Sequence, residues 1–289
     1  MTSRTRLPLP VALISMSLLA GAQDVSKPEM PVTTQWVLDA AGVTQRNAVK
    51  SVLLMVCPVT QKKGTAFSLT SGLIVTNEHV VHGCQANELV GSLPSGQGVQ
   101  FKTMVVDADR DLAVLRPTKA LPDGLELGSD ATLKIGNTVS TWGFPLIYNG
   151  PAPLLSVGYV AGFNAVKVGP RTVKHIVVNG AFNPGNSGGP VFLSQDNHVI
   201  GVVVWKQRIM SQLVPTVIDS FMHPNVSMSS TLVQRLPDGT SRPVSQQEAI
   251  GLVLEEFYDT VQVMIGEAIS VSELKALIAT MPPEPPAQK

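Results

Sequence analysis

Charged residues fill only 15% of the 289 positions and aromatic residues 5%, whereas 44% are hydrophobic. This balance excludes a chain that is disordered throughout, which would need high charge and little apolar surface to bury. The formal net charge is zero. The chain therefore lacks the broad basic face that nucleic-acid binding uses, and no nucleic-acid partner is expected. Cysteine occurs twice, as Cys57 and Cys84. So sparse a pair closes at most one disulfide in an exported protein, and two buried free thiols fit the sequence as well. No internal repeat and no long low-complexity tract is present.

Glycine and proline are plentiful, at 24 and 22 residues. With few aromatics, they favour many short strands and turns over long helices. At the N-terminus, Arg4 and Arg6 precede an apolar run from Leu7 to Ala20, and Ala20-Gly21-Ala22 offers a small-residue cleavage pattern. Residues 1–22 read as an export signal, and Pro8 and Pro10 interrupt a run already short for a membrane span. No cysteine follows the run, so a lipid anchor is not indicated. Removing it takes away two arginines and no acid, leaving a mature formal charge of about −2. An exported protein, periplasmic or secreted, is expected, with no stable membrane insertion after cleavage.

Residues 23–47 read as an N-terminal segment. From 48 to 236 short apolar runs alternate with turn residues, and strands are predicted at Val49–Cys57, Gly64–Thr76, Val99–Asp107, Leu112–Leu115, Thr138–Trp142, Thr172–Val178 and His198–Trp205. Strands without intervening helices point to an all-β fold, an antiparallel barrel or sandwich. The texture changes over residues 237–289. Ser245 and Glu248 form a capping box ahead of apolar residues at helical spacing from Ile250 to Ile265. A second box, Ser270 to Glu273, opens a short helix that Pro282 stops, and the tail reads as disordered.

One stretch resists both patterns. In Asn183-Pro184-Gly185-Asn186-Ser187-Gly188-Gly189-Pro190, three glycines and two prolines surround a serine. Glycine permits the backbone angles that aim the N–H groups of Gly185 and Ser187 at one point, where a developing oxyanion would sit beside the Ser187 hydroxyl. Such a nucleophile needs a base and an orienting acid. His79 lies at the end of an apolar strand, with His82 its near competitor. His79, His82 and Cys84 also sketch a metal cluster, but a clear fourth ligand is missing and no metal or other cofactor is expected. Asp111, just before the apolar Leu112-Ala113-Val114-Leu115, is the acid best placed to be half-buried, with Asp107 and Asp109 as alternatives.

The order His79, Asp111, Ser187, in "TNEHVV", "DLAVL" and "NPGNSGGP", resembles the chymotrypsin-fold, trypsin-like serine proteases, and within them the HtrA (DegP-like) branch. "GFP" at 143–145 and "SVGYVAG" at 156–162 strengthen the likeness, which covers roughly residues 48–236. The resemblance implies two six-stranded antiparallel barrels followed by a C-terminal helical extension, with the site in the cleft between the barrels. It implies a serine endopeptidase with Ser187 as nucleophile, His79 as base, Asp111 as orienter, and Gly185 and Ser187 as the oxyanion hole. Its substrates would be polypeptides, a homo-oligomer is compatible with it, and the branch implies a role in protein quality control. The chain after the barrels reads as helices, not as the PDZ module usual in that branch.

Asn186 stands where digestive relatives carry an activating aspartate. The family pattern also makes Ala181, Phe182, Trp205 and Lys206 the substrate pocket, apolar at its base and suited to small or aliphatic side chains, although Ala181 and Phe182 are equally suited to packing a barrel. Cys57 and Cys84 bracket the His79 segment as cysteines do in many secreted relatives, where a disulfide would brace the base. A catalytically silent binding protein on the same fold and a serine esterase are the alternative readings.

Overall fold

A computed structural model describes residues 29–146, 148–194, 198–204, 233–235, 240–261 and 265–282. The expected signal peptide, the pocket candidates Trp205 and Lys206, and most of the C-terminal tail lie outside the described residues. The chain opens with two helices that the sequence reading left without structure, α1 (Val32–Ala40) and α2 (Val43–Ser51). Arg46 joins them: its Nε donates to the carbonyls of Leu38 at 2.8 Å and Ala41 at 2.9 Å, satisfying groups that the end of α1 leaves without intrahelical partners. Val49–Ser51, predicted as the start of a strand, instead ends α2.

The first sheet holds β1 (Val52–Cys57), β2 (Lys62–Ser68), β3 (Ile74–Thr76), β4 (Val90–Ser92), β5 (Gly98–Val99), β6 (Phe101–Asp107) and β7 (Leu112–Pro117), with the four-residue helix α3 (Glu78–Val81) after β3. Its order is β5-β4-β1-β2-β3-β7-β6. The two edge strands are separated in sequence by Gln100 alone, so the sheet curls round on itself. Counted as one strand bent at Gln100, whose carbonyl accepts the Thr118 N–H at 2.8 Å, β5 and β6 make this a six-stranded half-barrel, in keeping with the expected chymotrypsin-like fold. Predicted as one strand, Gly64–Thr76 is the antiparallel pair β2 and β3.

The second sheet is a closed barrel, β10-β15-β12-β11-β8-β9. Its members are β8 (Thr138–Gly143), β9 (Leu154–Val168), β10 (Arg171–Asn179), β11 (Pro190–Leu193), β12 (Val199–Val204) and β15 (Ile265–Ser270). Between β12 and β15 lie a two-stranded ribbon, β13 (Val233–Arg235) and β14 (Ser241–Pro243), and the helix α4 (Gln246–Val261); α5 (Val271–Ile278) follows β15. The C-terminal region is thus not helical throughout. Ile265, counted into a helix by its spacing, starts the strand that pairs with β10 and β12 and completes the barrel. Local spacing cannot register partners supplied from elsewhere in the chain. Helix α4 does follow its capping box, with the Glu248 N–H donating to Ser245 Oγ at 3.2 Å.

Both faces of the central strands are buried, which explains why they read as continuous apolar runs. In β7, Ala113 and Leu115 point into the first sheet's core with Leu53, Ile74 and Phe101. Leu112 and Val114 point the other way, into a core shared with Trp142, Phe192, Val202 and Ile269 of the second barrel. That shared core locks the two units together and sets Asp111, just ahead of Leu112, at their junction.

Candidate active site

His79 is the second residue of α3, at the end of the buried β3, and its side chain stays 39% exposed. Asp111 closes the turn between β6 and β7 with φ of +55°, a left-handed conformation rare for a residue with a side chain. Its carboxylate accepts the His79 backbone N–H at 3.0 Å and lies 2.8 and 3.0 Å from His79 Nδ1. Its own carbonyl accepts from Asn77 Nδ2 at 2.9 Å. A carboxylate only accepts, so Nδ1 is the ring nitrogen that donates to Asp111, and in that tautomer Nε2 is left as an acceptor.

The Ser187 turn is held from both units. Gly185 and Gly188 take φ of +96° and +82°, which side chains resist. On the second barrel, the Gly188 N–H donates to Val203 at 2.9 Å and the Val203 N–H returns to Gly189 at 2.8 Å. From the first sheet, the Thr65 N–H donates to the Ser187 carbonyl at 2.8 Å and its Oγ1 to the Gly185 carbonyl at 2.7 Å. A Cβ on Gly64 would stand 2.6 Å from Val80 Cγ2 and 3.1 Å from the Ser187 carbonyl oxygen. A Cβ on Gly188 would meet the Thr65 carbonyl and Thr76 Oγ1, and lie 3.0 Å from the Asn77 nitrogen. Strand β2 and the Thr76–Asn77 corner are therefore where the serine turn and the histidine helix abut.

The other candidates fall elsewhere. His82 bonds Glu78 of its own helix turn at 2.6 Å. His175, a histidine outside these candidates, is buried on β10 against Glu267 at 2.8 Å. Cys84 is bonded to Cys57, with their Cα atoms 5.9 Å apart, and so supplies no thiolate beside His79 and His82. Asp107, an alternative acid, is taken up by Arg110 and Arg171, at 2.5 and 2.8 Å. Burial opposes its charge, yet hydrogen bonds from Arg110, and then Arg171, hold its carboxyl below the usual aspartate value.

Phe182 is buried in the second barrel's core, its ring lying against Gly266 so closely that no Cβ would fit there, and Ala181 beside it is half-buried. Asn186 is buried, with neither side-chain atom finding a protein partner. Sequence reasoning missed Thr65 and Asn77, because their roles exist only across strands that the sequence does not pair.

Residues 64–202 match the family described as the trypsin-like peptidase domain. A protein of Halomonas elongata named as a probable periplasmic serine endoprotease, DegP-like, is 34% identical over 140 residues, 48% of this chain and 28% of its own. One of Chlamydia muridarum with the same name is 30% identical over 214 residues, 68% of this chain and 40% of its own. The chain thus spans less than half the length of these relatives. Among solved structures, the active form of the Rv3671c protease from M. tuberculosis superposes with a TM-score of 0.57 over 96% of this chain and 97% of its own, at 15% identity. That likeness carries the fold alone. Sequence match and double-unit β architecture agree: residues 64–202 carry a trypsin-like peptidase domain, and the chain is similar to DegP-like serine endoproteases.

Proposed function

We propose that this protein is an exported serine endopeptidase that cleaves polypeptides through an acyl-enzyme on Ser187. The observation that carries the reading is the double grip of Asp111 on the ring and backbone of His79, beside a serine turn clamped by Thr65. In this reading Ser187 Oγ attacks the peptide carbonyl while His79 Nε2 takes its proton. Asp111 stabilises the imidazolium that forms, and the N–H groups of Gly185 and Ser187 receive the oxyanion. His79 then protonates the leaving amine, and water repeats the sequence on the acyl-enzyme.

Export is supported by the N-terminal apolar run and by the periplasmic naming of the DegP-like relatives; a role in protein quality control rests on that kinship alone. For specificity, the Phe182 ring over Gly266 supports a shallow pocket, suited to small or aliphatic side chains next to the cut bond. One methylene changes such selectivity by about 1–3 kcal/mol, so the preference is graded. Labelling with a fluorophosphonate, lost in Ser187→Ala and His79→Ala, tests the nucleophile. A peptide library set against simple esters then separates endopeptidase from esterase, and folded protein that never labels would overturn the enzyme reading in favour of a silent binding protein.

A further inference from the structure

Arg110 immediately precedes Asp111, and its side chain reaches into the junction between the two units. Its Nη1 lies 2.5 Å from Asp107 Oδ2 in the same turn, and its Nε lies 2.8 Å from Glu273 Oε2 in the first turn of α5. Both carboxylates are answered from the second barrel. Arg171 Nη1, at the start of β10, reaches Asp107 Oδ2 at 2.8 Å and stands 3.9 Å from Asp109, while the Lys174 backbone N–H donates to Glu273 Oε1 at 3.1 Å. The anchor under Glu273 is itself fixed. Ser270, which caps α5, donates to Asp130 Oδ2 at 2.5 Å, and Lys174 Nζ reaches the same oxygen at 2.8 Å.

The turn between β6 and β7 thus crosses the junction on two close ion pairs, Arg110–Glu273 and Asp107–Arg171, with Asp109 as a third, longer contact to Arg171. The same turn must present Asp111 in a left-handed conformation that few residues hold unaided. Within the turn, the Arg110 N–H donates to Asp107 Oδ1 at 3.0 Å and the Asp111 N–H to the Ala108 carbonyl at 3.3 Å. The guanidinium is suited to the task, because its planar fork engages two carboxylates along fixed directions where an ammonium would engage them as a point charge.

We infer that Arg110 is a positioning residue for the proposed triad: its pairing with Glu273 holds the Asp111 carboxylate on His79, making the orientation of the acid in the first unit depend on the C-terminal segment that completes the second. The inference rests on the triad reading and adds to it a dependence on residues more than 160 positions apart in sequence.

The test uses the mature protein and the variants Arg110→Met, Arg110→Lys and Glu273→Gln, alone and combined with Asp111→Asn. Three measurements are made: the fluorophosphonate labelling rate, the kcat and KM of a cleaved peptide, and the downfield proton resonance of His79 Nδ1–H. In Arg110→Met and Glu273→Gln the labelling rate and kcat fall about tenfold with KM unchanged, and the downfield proton moves or broadens. Arg110→Lys stays impaired. In the Asp111→Asn background, Arg110→Met costs nothing further.

Variants that lose thermal stability but keep the wild-type kcat and His79 proton would overturn the inference, as would an Arg110→Met effect undiminished by Asp111→Asn. Failure of the triad reading is separable: there Asp111→Asn itself leaves labelling intact, or the wild type does not label. The His79 resonance of the folded variants still decides whether Arg110 holds the acid.

Discussion

Thr65 shows how much of the site hangs on a side chain with no chemistry of its own. Its hydroxyl donates to the Gly185 carbonyl at 2.7 Å and receives the Phe144 N–H at 3.0 Å, so one oxygen ties the serine turn to the segment that follows β8. Thr65→Val leaves both partners buried and unpaired, and each costs about 1–3 kcal/mol. We expect a lower urea midpoint in equilibrium unfolding, together with slower fluorophosphonate labelling of the protein that remains folded. Gly185→Ala is a sharper probe. A Cβ at φ of +96° would meet the Phe144 carbonyl and stand 2.6 Å from the Leu146 nitrogen. Labelling should be lost while the far-UV spectrum is kept; retention of the wild-type rate would remove Gly185 from the proposed oxyanion hole. At this scale the sequence was most legible. Ser187, His79 and Asp111 stand in short motifs whose residue types are set by local geometry, whereas Asn77 and Thr65 are ordinary residues whose partners become known only when strands pair.

Among the elements, α3 depends most on its surroundings. A four-residue helix has no stability of its own. It is held by β3 behind it, by the Asp111 carboxylate on the His79 N–H, and by the Cys57–Cys84 disulfide, which ties the end of β1 to the residues after α3. The bond spans 27 positions, and a loop of that length predicts a loss of about 3–4 kcal/mol on its removal. Equilibrium unfolding of the Cys57→Ala, Cys84→Ala double variant measures this directly; a loss below about 1 kcal/mol would mean that packing alone holds the helix. Strand β9 is the element least visible in the sequence. Gly158 and Gly162 interrupt its apolar pattern, and a register shift in its pairing with β10, at Val177/Val178, breaks the alternation that a reader looks for.

For the whole molecule, the junction between the two units couples stability to pH. Burial works against the charges of Asp107 and Asp130, but Arg110 on the one and Lys174 on the other prevail, and both carboxyls titrate below the ordinary 3.8 when folded. A depressed folded value means stability that is present above the unfolded value and lost as pH falls through the folded one. The melting temperature of the wild type should therefore exceed that of Asp107→Asn at neutral pH, and the gap should close as pH drops below about 3.8. A gap unchanged down to acid pH would mean that the variant acts by packing alone.

The amino-acid sequence by itself determined the all-β class, the glycine-rich serine turn and the candidates proposed as acid, base and nucleophile, because each is written in the backbone needs and residue types of a few adjacent positions. The tertiary structure decided what those positions are fastened to. Glu273 reads in sequence as the partner of Ser270 in a capping box; in the fold its carboxylate turns instead to Arg110 and the Lys174 N–H. Ile265 reads as the last apolar position of one helix and Ser270 as the cap of the next; in the fold Ile265–Ser270 is the strand that closes a barrel. Both outcomes depend on partners at least 60 residues away, and a contact of that range leaves no periodicity in the local sequence from which to read it.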